Sequence, residues 1–193
     1  MVEHSAGMHG RLQPEPPDPD RMSKPSNKTA NPHRQTVSAA RLAEAVERAR
    51  NIFAERNLRF TELREQVFSE IAATNGSIGA YDILDRLSDK GTRLAPISVY
   101  RSIDALLDAG VIHRLESKNA YFACRRHEHG KQGRPIFLSC ERCGSVTEAE
   151  AQGVFDLINE VARGQGFEAK VKFVEVSGIC AQCAGGPPRG GAS

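Results

Sequence analysis

Apolar residues recur at spacings of three and four through the first part of the chain, and the pattern predicts four helices. Over residues 38–56, Leu42, Val46, Ala49 and Phe53 line one face, with Ser38 as the N-cap. Thr61-Glu62 opens a second helix carrying Leu63, Val67, Phe68 and Ile71, which Asn75-Gly76 closes. A third covers 80–87 with Ile83, Leu84 and Leu87 apolar, and stops near Gly91. Pro96 opens the fourth, which carries Val99, Ile103, Leu106 and Leu107 on one face before Gly110 ends it. Three short helices whose last two share a short linker predict a helix-turn-helix. Residues 112–116 and 120–124 then read as a hairpin around Ser117-Lys118-Asn119, and a hairpin directly after a helix-turn-helix is a wing.

Beyond the polar stretch 125–134, expected to be a loop or hinge, the period changes. Residues 135–139 and 145–148 read as strands around a cysteine knuckle, 154–161 repeat at helical spacing, and 167–176 alternate like a strand. The expected fold class is α+β: an N-terminal winged helix-turn-helix domain over 38–124, then a small C-terminal α/β domain over 135–183. Residues 1–37 hold Pro14, Pro16, Pro17, Pro19, Pro25 and Pro32 with no periodic apolar pattern, which predicts a disordered tail. His4, His9 and His33 read as scattered tail histidines, and 184–193 as a second flexible tail.

At 193 residues, 39% hydrophobic and 26% charged, the chain suits one ordinary domain or two small ones and excludes collagen-like, rod-like and wholly disordered readings. No uncharged apolar run approaches the ~18 residues that span a bilayer, and no signal-peptide core opens the chain. The expected location is therefore the cytoplasm, with no membrane partner. A net charge of only +2 confines any polyanion contact to a local patch.

Five cysteines change the picture, because four fall in two pairs, Cys140/Cys143 and Cys180/Cys183. Each C-x-x-C knuckle presents two thiolates to one ion, and two knuckles complete a tetrahedron suited to structural zinc. The other readings are redox disulfides or coincidence. The long separation between knuckles implies a helix and a strand inserted between them.

A second cluster gathers around the lone Cys124. If the wing turn is the two residues Lys118-Asn119, His113 stands directly opposite Cys124, close enough to share an ion. His127 and His129 follow within five residues of Cys124, and Glu148 lies on the strand returning from the first knuckle. The third candidate is the helix from Pro96. Its face away from Val99, Ile103 and Leu106 carries Ser98, Arg101, Ser102 and Ala105, small and singly cationic, able to approach base edges. Tyr100 could brace the nucleic-acid backbone, and Tyr81 could touch a phosphate.

Leu58-Arg-Phe-Thr-Glu-Leu-Arg-Glu-Gln-Val67, Ala80-Tyr-Asp-Ile-Leu84, Ser98-Val-Tyr-Arg101 and the two knuckles together resemble the ferric uptake regulator family, and its zinc-sensing branch in particular. The resemblance covers about residues 40–183. It implies a homodimeric, metal-dependent repressor of double-stranded operator DNA, with Tyr81 and Arg101 on DNA and the four knuckle cysteines on structural zinc. His113, Cys124 and Glu148 match regulatory-zinc ligands of that branch; His129 is the preferred fourth ligand and His127 the alternate, since 125–134 departs in length from the family pattern. The implied cofactor is Zn(2+) at two sites per protomer, with the metal ion as the only small ligand. Cys124 favours zinc, because thiolate and imidazole suit a tetrahedral zinc site while iron sensors favour nitrogen and oxygen donors.

The expected function is thus a zinc-responsive repressor of zinc uptake genes. Its rivals are an iron, manganese, nickel or peroxide sensor of the same family, or a zinc-stabilised interaction module. Four ligands would close the second site, whereas catalytic zinc needs an open position, so an enzyme is not expected.

Overall fold

The computed structural model describes residues 37–91, 94–125, 135–170 and 173–185. Of the two expected tails, residues 1–36 and 186–193 lie outside the described residues, as do the expected loop ligands His127 and His129. All described residues belong to one compact unit, Asn31–Ser193.

Four helices form where the apolar pattern places them. Helix α1 (Ala39–Glu55) starts at Ser38, whose hydroxyl accepts from the Arg41 N–H at 3.3 Å. Helix α2 (Glu62–Ala73) starts at Thr61, which accepts from the Arg64 N–H, and Glu62 and Glu65 complement the positive end of the helix dipole. Helices α3 (Ala80–Asp89) and α4 (Pro96–Asp108) complete the set. Phe53, Val67, Phe68, Ile71, Ile83, Val99, Ile103 and Leu106 are almost wholly buried in one core. Each such side chain contributes on the order of 1.5–3 kcal/mol by leaving water. The buried Glu70 carboxylate pairs with Lys90 and, at 3.9 Å, with Arg86, tying α2 to α3.

The wing is β1 (Ile112–Leu115) antiparallel to β2 (Ala120–Ala123). Tyr121 also bridges to Ile78, so the wing is anchored to the residues just before α3. The expected two-residue turn is not what forms. Glu116–Lys118 makes one 3-10 turn, and Asn119 closes it in the left-handed conformation at φ 45°. His113 therefore pairs with Phe122, and the expected direct pairing with Cys124 is corrected. The slip is two residues, so every side chain keeps its face, and Cys124 remains diagonal to His113 on the same side.

In the C-terminal half, β3 (Pro135–Cys140) lies between antiparallel β4 (Val146–Glu150) and parallel β5 (Val174–Gly178), with α5 (Gln152–Gly164) crossing between the outer strands. The last strand was expected over 167–176. It starts later because its limits are set by pairing with β3, from Ile136 opposite Val174 to Cys140 opposite Gly178, which local alternation does not encode. The two halves share a small core: Leu115 and Phe122 of the wing pack with Phe137 and Val146 of the sheet.

Candidate metal centres and DNA-reading helix

Cys140 ends β3, Cys143 sits in the turn that follows, and Cys180 and Cys183 occupy the turn after β5. The parallel pairing of β3 with β5 brings both knuckles to the same end of the sheet. Backbone bonds repeat in the two turns: Gly144 N–H donates to Cys140 O and Ala184 N–H to Cys180 O, both at 2.9 Å. One ligand atom from each of the four cysteines lies within 4.8 Å of the others, and none forms a disulfide. Cys143 Sγ and Cys180 Sγ are 3.7 Å apart. Zn–S bonds of about 2.3 Å in a tetrahedron separate sulfurs by roughly 3.8 Å, so the spacing fits that ion.

The electrostatics agree. Burial works against the Cys140 thiolate, but backbone N–H groups of Cys143, Cys180 and Arg142 outweigh it and bring its pKa down to about 6. Burial, then the thiols of Cys180, Cys143 and Cys140, push Cys183 up to about 12. Four thiolates cannot collect here without a cation to neutralise them.

The second cluster spans the two halves. His113 on β1, Cys124 just after β2 and Glu148 on β4 bring one ligand atom each within 4.8 Å. Glu148 Oε2 lies 3.6 Å from Cys124 Sγ and 3.9 Å from His113 Nε2, and the Glu148 side chain is only 5% exposed. Its other oxygen accepts from the Arg125 N–H at 3.1 Å, while the Arg125 guanidinium donates to Asn75 Oδ1 at 3.1 Å. The imidazole lies against Phe122 and Phe137, with ring centroids at 5.5 and 5.1 Å. One aromatic comes from each half. A histidine, a cysteine and a carboxylate held this way suit a borderline-soft divalent ion such as zinc.

Sequence spacing did not reveal Arg125, Asn75 or the two phenylalanines as supports of this cluster. Glu148 and Phe137 are cross-strand partners, so the carboxylate shares the sheet face that meets the wing.

On α4 the exposed face is displaced from the expected one. Ile97 is 57% exposed, and Tyr100, Arg101 and Asp104 are also exposed, while Ser98 is half-buried. Ser102 is 5% exposed and its hydroxyl donates to Ser98 O at 2.9 Å, so it faces the core and cannot meet a base edge. The apolar stripe takes Ser102 inward because its small hydroxyl finds a partner within the helix. On α3, Tyr81 is 58% exposed. Burial, followed by the neighbouring Tyr81, raises the pKa of the Tyr100 phenol.

A winged helix-turn-helix whose wing shares a thiol–imidazole–carboxylate cluster with a second, cysteine-closed sheet defines a metal-dependent DNA-binding regulator. The chain belongs to the ferric uptake regulator family, whose model matches residues 55–177. The zinc uptake regulation protein of Escherichia coli is 36% identical over 140 residues, covering 72% of this chain and 81% of that protein. A zinc uptake regulator solved with zinc and DNA is 35% identical with a TM-score of 0.66, covering 75% of this chain and 95% of its own. Holo XcZur is 36% identical with a TM-score of 0.64, covering 74% and 98%.

Proposed function

We propose that the protein is a zinc-responsive repressor that binds operator DNA of zinc uptake genes. The observation that carries this reading is the cluster of His113 and Cys124 from the wing with Glu148 from the sheet. When these residues share one ion, the wing and the helix-turn-helix behind it are held in one orientation on the C-terminal half. Ligand binding that differs between orientations shifts their populations, and the orientation so favoured is the one that meets operator DNA. The bound ion supplies charge neutralisation and cross-linking. No reaction is involved, and the protein acts as a regulator rather than an enzyme.

The reading assigns two zinc ions per protomer. Cys140, Cys143, Cys180 and Cys183 hold the structural ion; His113, Cys124 and Glu148 hold the regulatory one, with His129 as fourth ligand and His127 as its alternate. Arg101, Tyr100 and Ser98 on α4, with Tyr81 on α3, face the DNA, and Ser102 supports Ser98 from behind. The DNA-binding domain covers 38–124 and the dimerisation domain 135–183. Family membership makes the protein a homodimer, and the exposed apolar residues Leu157, Val161 and Phe167 supply a surface for the second copy. The site of action is the cytoplasm, where bacterial operators lie. No helix among the described residues is long and apolar enough to cross a membrane.

The test is operator binding by purified protein titrated with zinc against a chelator, alongside iron and manganese. Restoration of specific binding by zinc at the lowest free metal supports the reading. Restoration by iron or manganese instead, or binding indifferent to metal, rejects it.

A further inference from the structure

Phe137 at the centre of the sheet pairs with Glu148 on β4 and with Glu175 on β5. Acid, aromatic and acid therefore form one row across three strands, on the face that meets the wing. Glu148 meets the wing's base, at Cys124 and Arg125. Glu175 meets its tip: one carboxylate oxygen accepts from the Glu116 N–H at 2.6 Å and the other from the Ser117 N–H at 3.1 Å. Burial alone would raise the Glu175 pKa, but the Ser117 hydroxyl, these two N–H groups and Lys118 outweigh it and hold the carboxyl below its usual range. Phe122 rests edge-on against Phe137 between the two acids, with centroids 5.0 Å apart.

We infer that Glu175 is a positioning residue that clamps the wing tip to the C-terminal sheet and so tunes the affinity of the zinc site at the wing's base. The inference rests on the reading of His113, Cys124 and Glu148 as the sensing site. The mechanical reason is simple. A hairpin held only at its base pivots about Phe122, whereas one held at base and tip has a single orientation. Zinc binding at the base must otherwise order the tip as well, and a preformed tip contact removes that penalty. Charge-assisted bonds from two backbone N–H groups are strong for their number. Glu175 binds no metal and touches no DNA in this scheme; it acts through the orientation of the wing.

The experiment uses the full-length dimer and measures three things: tightly held zinc after mild chelation, affinity for the second zinc by chelator competition, and operator affinity at limiting and saturating zinc. Glu175→Ala should weaken second-zinc binding by about 10- to 150-fold, the range expected for losing one hydrogen bond to a charged group. Operator affinity should fall at limiting zinc and recover largely at saturation, with the tight zinc and the dimer retained. A residue that merely braced the sheet would alter the tight zinc or the dimer and leave the ratio of the two zinc affinities alone. Ser117→Ala should shift the second-zinc affinity in the same direction by less, and add nothing to Glu175→Ala.

Unchanged second-zinc affinity in Glu175→Ala overturns the clamp. If that variant loses its tight zinc or its fold, Glu175→Gln decides, since it keeps the size of the side chain and removes the charge that strengthens both backbone bonds: no shift there overturns the clamp equally. A wild-type chain that takes up only one zinc, or binds operator regardless of the second, overturns the sensing reading instead.

Discussion

Glu148 and Glu175 stand on opposite sides of Phe137 in one row of the C-terminal sheet, and each carboxylate reaches a different end of the wing. The wing thus meets a single strand row, with the His113, Cys124 and Glu148 cluster at one end and a pair of backbone hydrogen bonds at the other.

Cys124→Ser should remove zinc-dependent operator binding and leave the fold in place, because a neutral hydroxyl is a poor substitute for thiolate. Each protomer should then hold about one zinc in place of about two under limiting metal, as one closed four-ligand site is kept and the other lost. Metal analysis and operator titration on the same preparation check this. Full loading with normal regulation would remove Cys124 from the sensing site.

Cys140→Ser or Cys180→Ser should destabilise the entire C-terminal half, since metal-binding free energy at a closed site is folding free energy. Thermal unfolding and sedimentation read the effect. A folded dimer with undiminished tight zinc would contradict the assignment.

Arg101→Ala should weaken operator binding by about 1–3 kcal/mol if the guanidinium reads a guanine, with zinc content and dimerisation intact. Ser102→Ala makes the useful contrast, because its hydroxyl bonds within the helix and faces the core. It should leave sequence preference unaltered and shift stability by about 1 kcal/mol or less. Both are measured by operator titration at one fixed salt concentration.

Gly76 sits at φ 150°, and a Cβ there would collide with the Gly144 carbonyl oxygen beside the first cysteine knuckle. Gly76→Ala should therefore push the turn after α2 away from the knuckle and lower stability by about 1–3 kcal/mol. Urea unfolding of the zinc-loaded dimer checks it; an unchanged midpoint would show that the turn can move freely.

The Glu175 contact should also be visible in the pH dependence of stability. Its folded pKa lies below the ordinary 4.5, so the unfolded chain binds the proton first as pH falls. The stabilisation is complete above that ordinary value and is lost as pH drops through the lower folded one. In protein that keeps its tight zinc and lacks the second one, the difference in urea midpoint between wild type and Glu175→Ala should be constant near neutrality and shrink in acid. A difference that grows in acid would reverse the assignment.

The elements and the chemical groups were legible in the sequence because their signals are local. Helical periodicity around Phe53, Val67, Ile83 and Ile103, the caps at Ser38 and Thr61, and the two C-x-x-C knuckles each depend on residues a few positions apart. His113 and Cys124 were rightly placed on one face even though their pairing was wrong by two residues, because a two-residue slip preserves the alternation of a strand. Tertiary structure alone decided what depends on distant pairing. The parallel register of β3 with β5 set the limits of the last strand, joined the knuckles and put Glu175 beside Phe137. The direction in which α4 presses on its core turned Ser102 inward and left Tyr100 and Arg101 outside. No local pattern carries such information, since it arises from which surfaces bury one another once the whole chain has packed.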